Sequence, residues 1–224
     1  MNPPAARTLS HRIADTFAAP RRLFGRFDED TPWFDVLAIS TLAAVAAATL
    51  LPDEVFLAQV ENPTDRLGRP VEVTSSPATV VHYGRYMAML SAVAGHPILA
   101  FGLAGVLVLI FTVLGGGGAS YRVYLSVASH SLLIPALGTL IIIGATALMK
   151  TPLSADLAML APGLPDGHLA HRLLAGINPF IVWMLLVLGI GVSKVDGRRS
   201  WIGASAVLLL LYFLLDLSTA LFTA

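Results

Sequence analysis

Three ionisable side chains fall inside long uncharged stretches, and theirs is the placement that could do chemistry. Asp216 is the only charge after Arg199, with Tyr212 one turn before it and Thr219 three residues beyond. His130 lies between Ser129 and Ser131, in a stretch without charge from Arg122 to Lys150. His96 lies in another, from Arg85 to Arg122. Ionisable groups in apolar surroundings are costly without a partner. A carboxylate there accepts hydrogen bonds from hydroxyls or pairs with a cation, and an imidazole can hold or pass a proton. Two roles are open for Asp216 and His130. They could meet in the interior as a polar or proton-sensitive site, or they could be interhelical glue worth about 0.6 kcal/mol per hydrogen bond. Glue is the simpler expectation.

Pro97 and Pro135 interrupt apolar stretches of their own. Proline lacks the backbone donor and crowds the carbonyl four residues back. Transporters use carbonyls released in this way to hold ions or substrates, although no inverted repeat is evident here. Asp166, His168 and His171 have a metal-like spacing, but they fall in a loop and read as unliganded. There is no His-Glu-x-x-His pair for a zinc hydrolase. Gly203-Ala204-Ser205-Ala206 superficially resembles an intramembrane serine-protease motif, which needs a histidine base that normally comes later, and no histidine follows Ser205. Gly115 to Gly118 lacks the lysine of a phosphate loop and reads as a tight turn. With no cysteine in the chain, neither enzyme activity nor a metal or cofactor is expected.

The elements that must carry these groups follow from charge and apolarity. Only 12% of the 224 residues are charged and 56% are hydrophobic, against about 25% charged in soluble domains. Acids and bases balance at 14 each, so nothing draws nucleic acid, and the bilayer is the expected partner. A spanning helix needs roughly 17–25 mostly apolar residues. The pattern predicts an all-α membrane protein with five spans, at about 36–51, 97–114, 123–148, 179–192 and 201–222. The outer loops are 52–85 and 149–176. Val71 to Thr74 could form a small hairpin in the first, and Leu157 to Leu160 a surface helix in the second. Met87 to Ala94 reads as an interfacial helix separated from the second span at Gly95-His96-Pro97, with one kinked helix as the alternative. Gly144 to Ala147 and Gly203 to Ala206 offer small residues for close helix packing.

Residues 1–34 form a polar arm ahead of the 35–224 domain. Leu9, Ile13 and Phe17 make one apolar stripe on a short helix. Such a helix lies on an anionic leaflet or is simply solvated. The arm, the glycine turn and the Lys194–Arg199 turn carry nine of the basic residues, and the other side carries five. The positive-inside rule therefore places the amino terminus in the cytoplasm and the carboxyl terminus outside, which for a bacterial inner membrane is the periplasm.

Four stretches, in order, resemble the Yip domain family (Ypt/Rab-interacting proteins) in its bacterial form. They are Ala19-Pro20-Arg21-Arg22-Leu23-Phe24, the glycine turn with Tyr121-Arg122, His130 to Pro135, and Ile177-Asn178-Pro179-Phe180-Ile181-Val182-Trp183. The resemblance covers roughly residues 19–220 and implies a five-helix membrane domain with a cytoplasmic amino terminus. Eukaryotic relatives work in vesicle traffic with Rab-type GTPases. The arm's Asp28-Glu29-Asp30-Thr31-Pro32-Trp33 lacks the glycine of their motif, so GTPase binding does not carry over. Asn178 stands where the family has aspartate. Two functions are expected from these readings. One is a membrane-organising or adaptor protein, with a second copy or another membrane protein as partner. The other is a small-solute or proton-coupled transporter built on His130, Asp216 and the Pro97 and Pro135 breaks.

Overall fold

A computed structural model describes residues 8–61, 75–149, 153–165 and 168–222, and among these the chain is helical with no strand. The arm forms α1 (Leu9–Ala18) and α2 (Pro20–Phe24), the latter opened by Pro20, whose missing donor costs nothing at a first helical position. The helices that follow are α3 (Phe34–Leu50), α4 (Asp53–Glu61), α5 (Pro77–Leu107), α6 (Tyr121–Ser131) and α7 (Leu133–Met149). The last three are α8 (Leu169–Gly176), α9 (Pro179–Asp196) and α10 (Trp201–Phe222). Four helical stretches, Pro77–Val113, Tyr121–Met149, Pro179–Asp196 and Trp201–Phe222, are long and apolar enough to cross a membrane, and α3 is a shorter apolar helix.

Two proline positions behave differently. Helix α5 runs without interruption through Gly95-His96-Pro97, so the separate interfacial helix expected at Met87 to Ala94 is part of one long helix that begins at Pro77. Its end widens into a π-helical turn at Val108–Val113, where Leu114 N donates to Leu109 O. Pro135 instead leaves a local gap. The helix expected over 123–148 is present as one span, Tyr121–Met149, whose ladder is interrupted for one residue at Leu132, between α6 and α7, because Pro135 cannot donate to Ser131 O. The expected loops also hold structure. Residues 52–85 contain α4 and the first turns of α5, 149–176 contains α8, and Leu157–Leu160 forms a 3-10 turn. The hairpin expected at Val71 to Thr74 lies outside the described residues.

Helix α3 sets the position of the arm. Trp33 meets Phe101 of α5 edge to face at 5.7 Å, and Arg85 of α5 donates to Thr49 O at 2.6 Å. Helices α3 and α5 are therefore antiparallel, and α3 begins at Phe101, well short of the end of α5. At 17 residues α3 is only about 25 Å long, under the roughly 30 Å of a hydrocarbon core. The arm fills the space beneath it. Leu23 and Phe24 are buried in the central apolar cluster with Val127, Leu188 and Val192. A Cβ on Gly191 would run into Val127 and touch Phe24, so the close approach of α6 and α9 at that glycine forms the seat for the arm.

Close packing elsewhere also uses glycine. The Phe180 ring covers Gly138, joining α9 to α7, and Gly189 faces the backbone of Ser205, joining α9 to α10. The second small-residue stretch thus packs as expected, with Ala204 and Ser205 buried. Gly144 in the first has no neighbour within 4 Å.

Candidate functional site

The first polar site lies under the arm. His130 is fully buried, and its Nδ1 is 2.7 Å from Ser126 O. A carbonyl can only accept, so Nδ1 carries the hydrogen and Nε2 holds the lone pair. Nε2 is buried without a hydrogen-bond partner, as is Ser129 Oγ. Phe27 of the arm closes over the imidazole edge to face at 4.9 Å. Beside it, Ser126 Oγ lies 3.1 Å from Thr31 O in the arm and 3.2 Å from Arg122 O, so its hydroxyl can tie α6 to the arm.

Charge holds the arm in place. Arg12 pairs with Asp35 at the start of α3 and donates to Pro32 O at 2.8 Å, while Arg22 pairs with Asp15 at 2.7 Å. Arg12, Asp15 and Thr16 form the buried face of α1. The expected apolar stripe lies to one side of that face, and its Phe17 packs edge to face on Trp183 of α9 at 5.7 Å. Helix α1 thus turns its polar face into the protein and leaves the stripe half exposed beside it.

The second site joins α8, α9 and α10. Tyr212 Oη donates to Gly176 O at 2.5 Å and accepts from Asn178 N at 3.3 Å, bridging the end of α8 and the start of α9. One turn further, Asp216 Oδ1 presses against Gly176, where any Cβ would collide with it. Asp216 Oδ2 is buried without a partner. Asn178 Oδ1 accepts from Phe180 N at 2.8 Å and caps α9. The cap requires an oxygen acceptor rather than a charge, so asparagine serves there as well as aspartate would.

Among the described residues His130 and Asp216 share no partner: the groups around His130 come from α6 and the arm, and those around Asp216 from α8 and α10. His96 and Pro135 do come together, on a largely apolar cavity of about 300 Å³ that also touches Ala48, Leu132, Ala136 and Met184. Pro97 stays within α5. Tyr121 Oη donates to Phe101 O at 3.1 Å, and Arg122 is exposed. His168 Nδ1 accepts from Ala170 N at 3.2 Å, a capping bond at the start of α8; Asp166 lies outside the described residues.

The third polar assembly clamps the glycine turn. Asp196 Oδ1 accepts from Gly118 N at 3.0 Å, Arg199 donates to Gly115 O at 3.0 Å, and Arg198 donates to Gly116 O. Side chains at Gly115 or Gly117 would strike Arg199, Asp196 and the backbone of α5's last turn, and Gly116 has a φ of 68°. The acceptor that fills this turn's free N–H is the protein's own carboxylate.

Sequence reasoning did not single out Arg12, Asp35, Ser126, Gly176 or Asp196 as site residues. Arg12 and Asp35 carried a signal, an arginine in an amphipathic arm and a carboxylate at the mouth of an apolar run. Gly176 carried none. No family model, curated protein or solved structure matches the chain.

Proposed function

We propose that this chain is a five-span, Yip-like protein of the bacterial inner membrane that acts as a membrane-organising or adaptor protein. In this reading α3, α5, α6 with α7, α9 and α10 cross the bilayer. The arm is cytoplasmic, the carboxyl terminus is periplasmic, and the bilayer and a second copy or another membrane protein are the partners. Contacts between the three basic segments support the orientation. The glycine turn is clamped by Asp196, Arg198 and Arg199, and Lys194 lies beside Gly25 of the arm. Segments that touch lie on one side, and together they hold nine basic residues.

The observation that carries the adaptor reading is the seated arm. Phe24, Phe27, Thr31 and Arg12 close the end of the bundle over His130, and Asp216 is covered separately by α8. One observation favours transport instead, namely that the apolar cavity brings His96 and Pro135 together. Solute and proton flux into liposomes, measured for wild type beside Asp216→Asn and His96→Phe, separates the two. The adaptor reading expects no flux above empty liposomes from folded, inserted protein; flux abolished by either substitution would replace it with transport.

A further inference from the structure

Three segments meet at one corner of the basic end. The Arg21 guanidinium of α2 lies over the Trp201 ring of α10, 5.0 Å from its centroid. Gly25 N donates to Arg21 O one turn on, and the Lys194 stem of α9 passes 4.0 Å from where a Gly25 Cβ would stand. Arg21 and Lys194 are exposed, and neither pairs with a carboxylate among the described residues. Three other cations of this end are committed. Arg22 is held by Asp15, Arg198 and Arg199 are held by glycine carbonyls, and Asp196, the acid on the Lys194 helix, is taken by Gly118. Below Trp201 the line of α10 packs inward through Ala204, Ser205 and Leu208, while the helix's exposed side, about 100–220° round from Trp201, is apolar at Ile202, Leu210 and Leu214.

Two unpaired cations beside an aromatic ring of the kind enriched at membrane boundaries, on a helix whose exposed side is apolar, match the headgroup end of one ligand. A phosphodiester would accept from Arg21 and Lys194. The glycerol region would lie at Trp201. We propose that the Arg21–Lys194–Trp201 corner is a binding site for the headgroup of an anionic phospholipid, an assignment that rests on the membrane topology proposed above. Arginine stacked on an aromatic face keeps donors free at its edge, so the cation–π contact orients Arg21 without consuming it.

The test uses the full chain purified in detergent. Phosphatidylglycerol, phosphatidylcholine and inorganic phosphate are titrated separately, with bound lipid read by native mass spectrometry and stability by thermal shift. Phosphatidylglycerol is expected to bind and stabilise, with neither of the others doing so. The Arg21→Ala/Lys194→Ala pair should weaken that binding by about fivefold per cation, about thirtyfold together. Arg122→Ala, exposed on another helix, should bind like wild type. Equal affinity for phosphatidylglycerol in wild type and the double variant would overturn the site. Inorganic phosphate binding as well as the lipid would make it a soluble-anion site. Release of the chain from membranes by alkaline carbonate would overturn the topology itself, a result distinct from an inserted chain that shows no lipid preference.

Discussion

Arg12 of the arm pairs with Asp35, the second residue of α3, across the seam that fixes α1 to the bundle. The guanidinium is 9% exposed and the carboxylate 35%. The pair is sheltered on one side only, and Asp35 also accepts from Val36 N at 2.8 Å, as an acid in a first turn should.

Removing either partner leaves the other half-sheltered and unpaired. Arg12→Ala and Asp35→Ala should each lower stability by about 1–3 kcal/mol. Both should also speed proteolysis within the arm while sparing the helices beyond it. A double-mutant cycle should show the two losses to be less than additive. Additive losses, or arm cleavage at the wild-type rate, would mean that the pair does not hold the arm.

Gly176 and Asp216 occupy one volume. Gly176→Ala should depress the melting temperature sharply, because its methyl meets the carboxylate head-on. Adding Asp216→Ala should restore much of the loss. If the second substitution deepens the loss instead, the carboxylate has a further partner and the collision is not what destabilises the first variant.

Asp196 replaces water for the N–H of Gly118. Asp196→Ala should cost about 1–2 kcal/mol, and Asp196→Asn should recover much of that, since an amide oxygen can accept the same bond. Thermal unfolding in detergent reads both variants, and equal losses for Ala and Asn would show that the charge matters rather than the acceptor.

Small residues on α7 and α9 should respond in opposite ways. Gly189→Ala pushes a methyl into the Ser205 backbone and should cost about 1–3 kcal/mol. Gly144→Ala meets nothing within 4 Å and should be neutral or slightly stabilising through its better helix propensity. Equal effects at the two positions in a thermal-shift series would refute the packing described for α9 and α10.

Much of the helical plan could be read from charge spacing, because long uncharged runs leave few alternatives to helix. The expected bounds of the last span, 201–222, are those of α10. The behaviour of the two prolines was not legible in the same way. Proline states which hydrogen bond is lost, but neighbouring helices decide whether the helix runs on through the gap, as at Pro97, or its ladder is interrupted for a residue, as at Leu132. The site residues were legible in type but not in company. His130 stands out as an imidazole among apolar residues, whereas its covering by Phe27 depends on a contact across some hundred residues. Asn178 could be read only against the family pattern, and its role as a cap emerges from the backbone around it. The inward turn of α1's polar face was not legible from its stripe, because it depends on Arg12 meeting Asp35 of α3.

The seat of the arm also imposes an order on synthesis. Phe24 leaves the ribosome early, but Gly191, the residue whose missing side chain lets it in, follows roughly 170 residues later. At about 5–20 residues per second, that is a delay of about ten to thirty seconds. During this interval Leu23, Phe24 and Phe27 have no place in the bundle to occupy. The arm, made well before the helix that seats it, is therefore among the last segments to find its native position, and a nascent chain stalled before α9 would carry those three side chains uncovered.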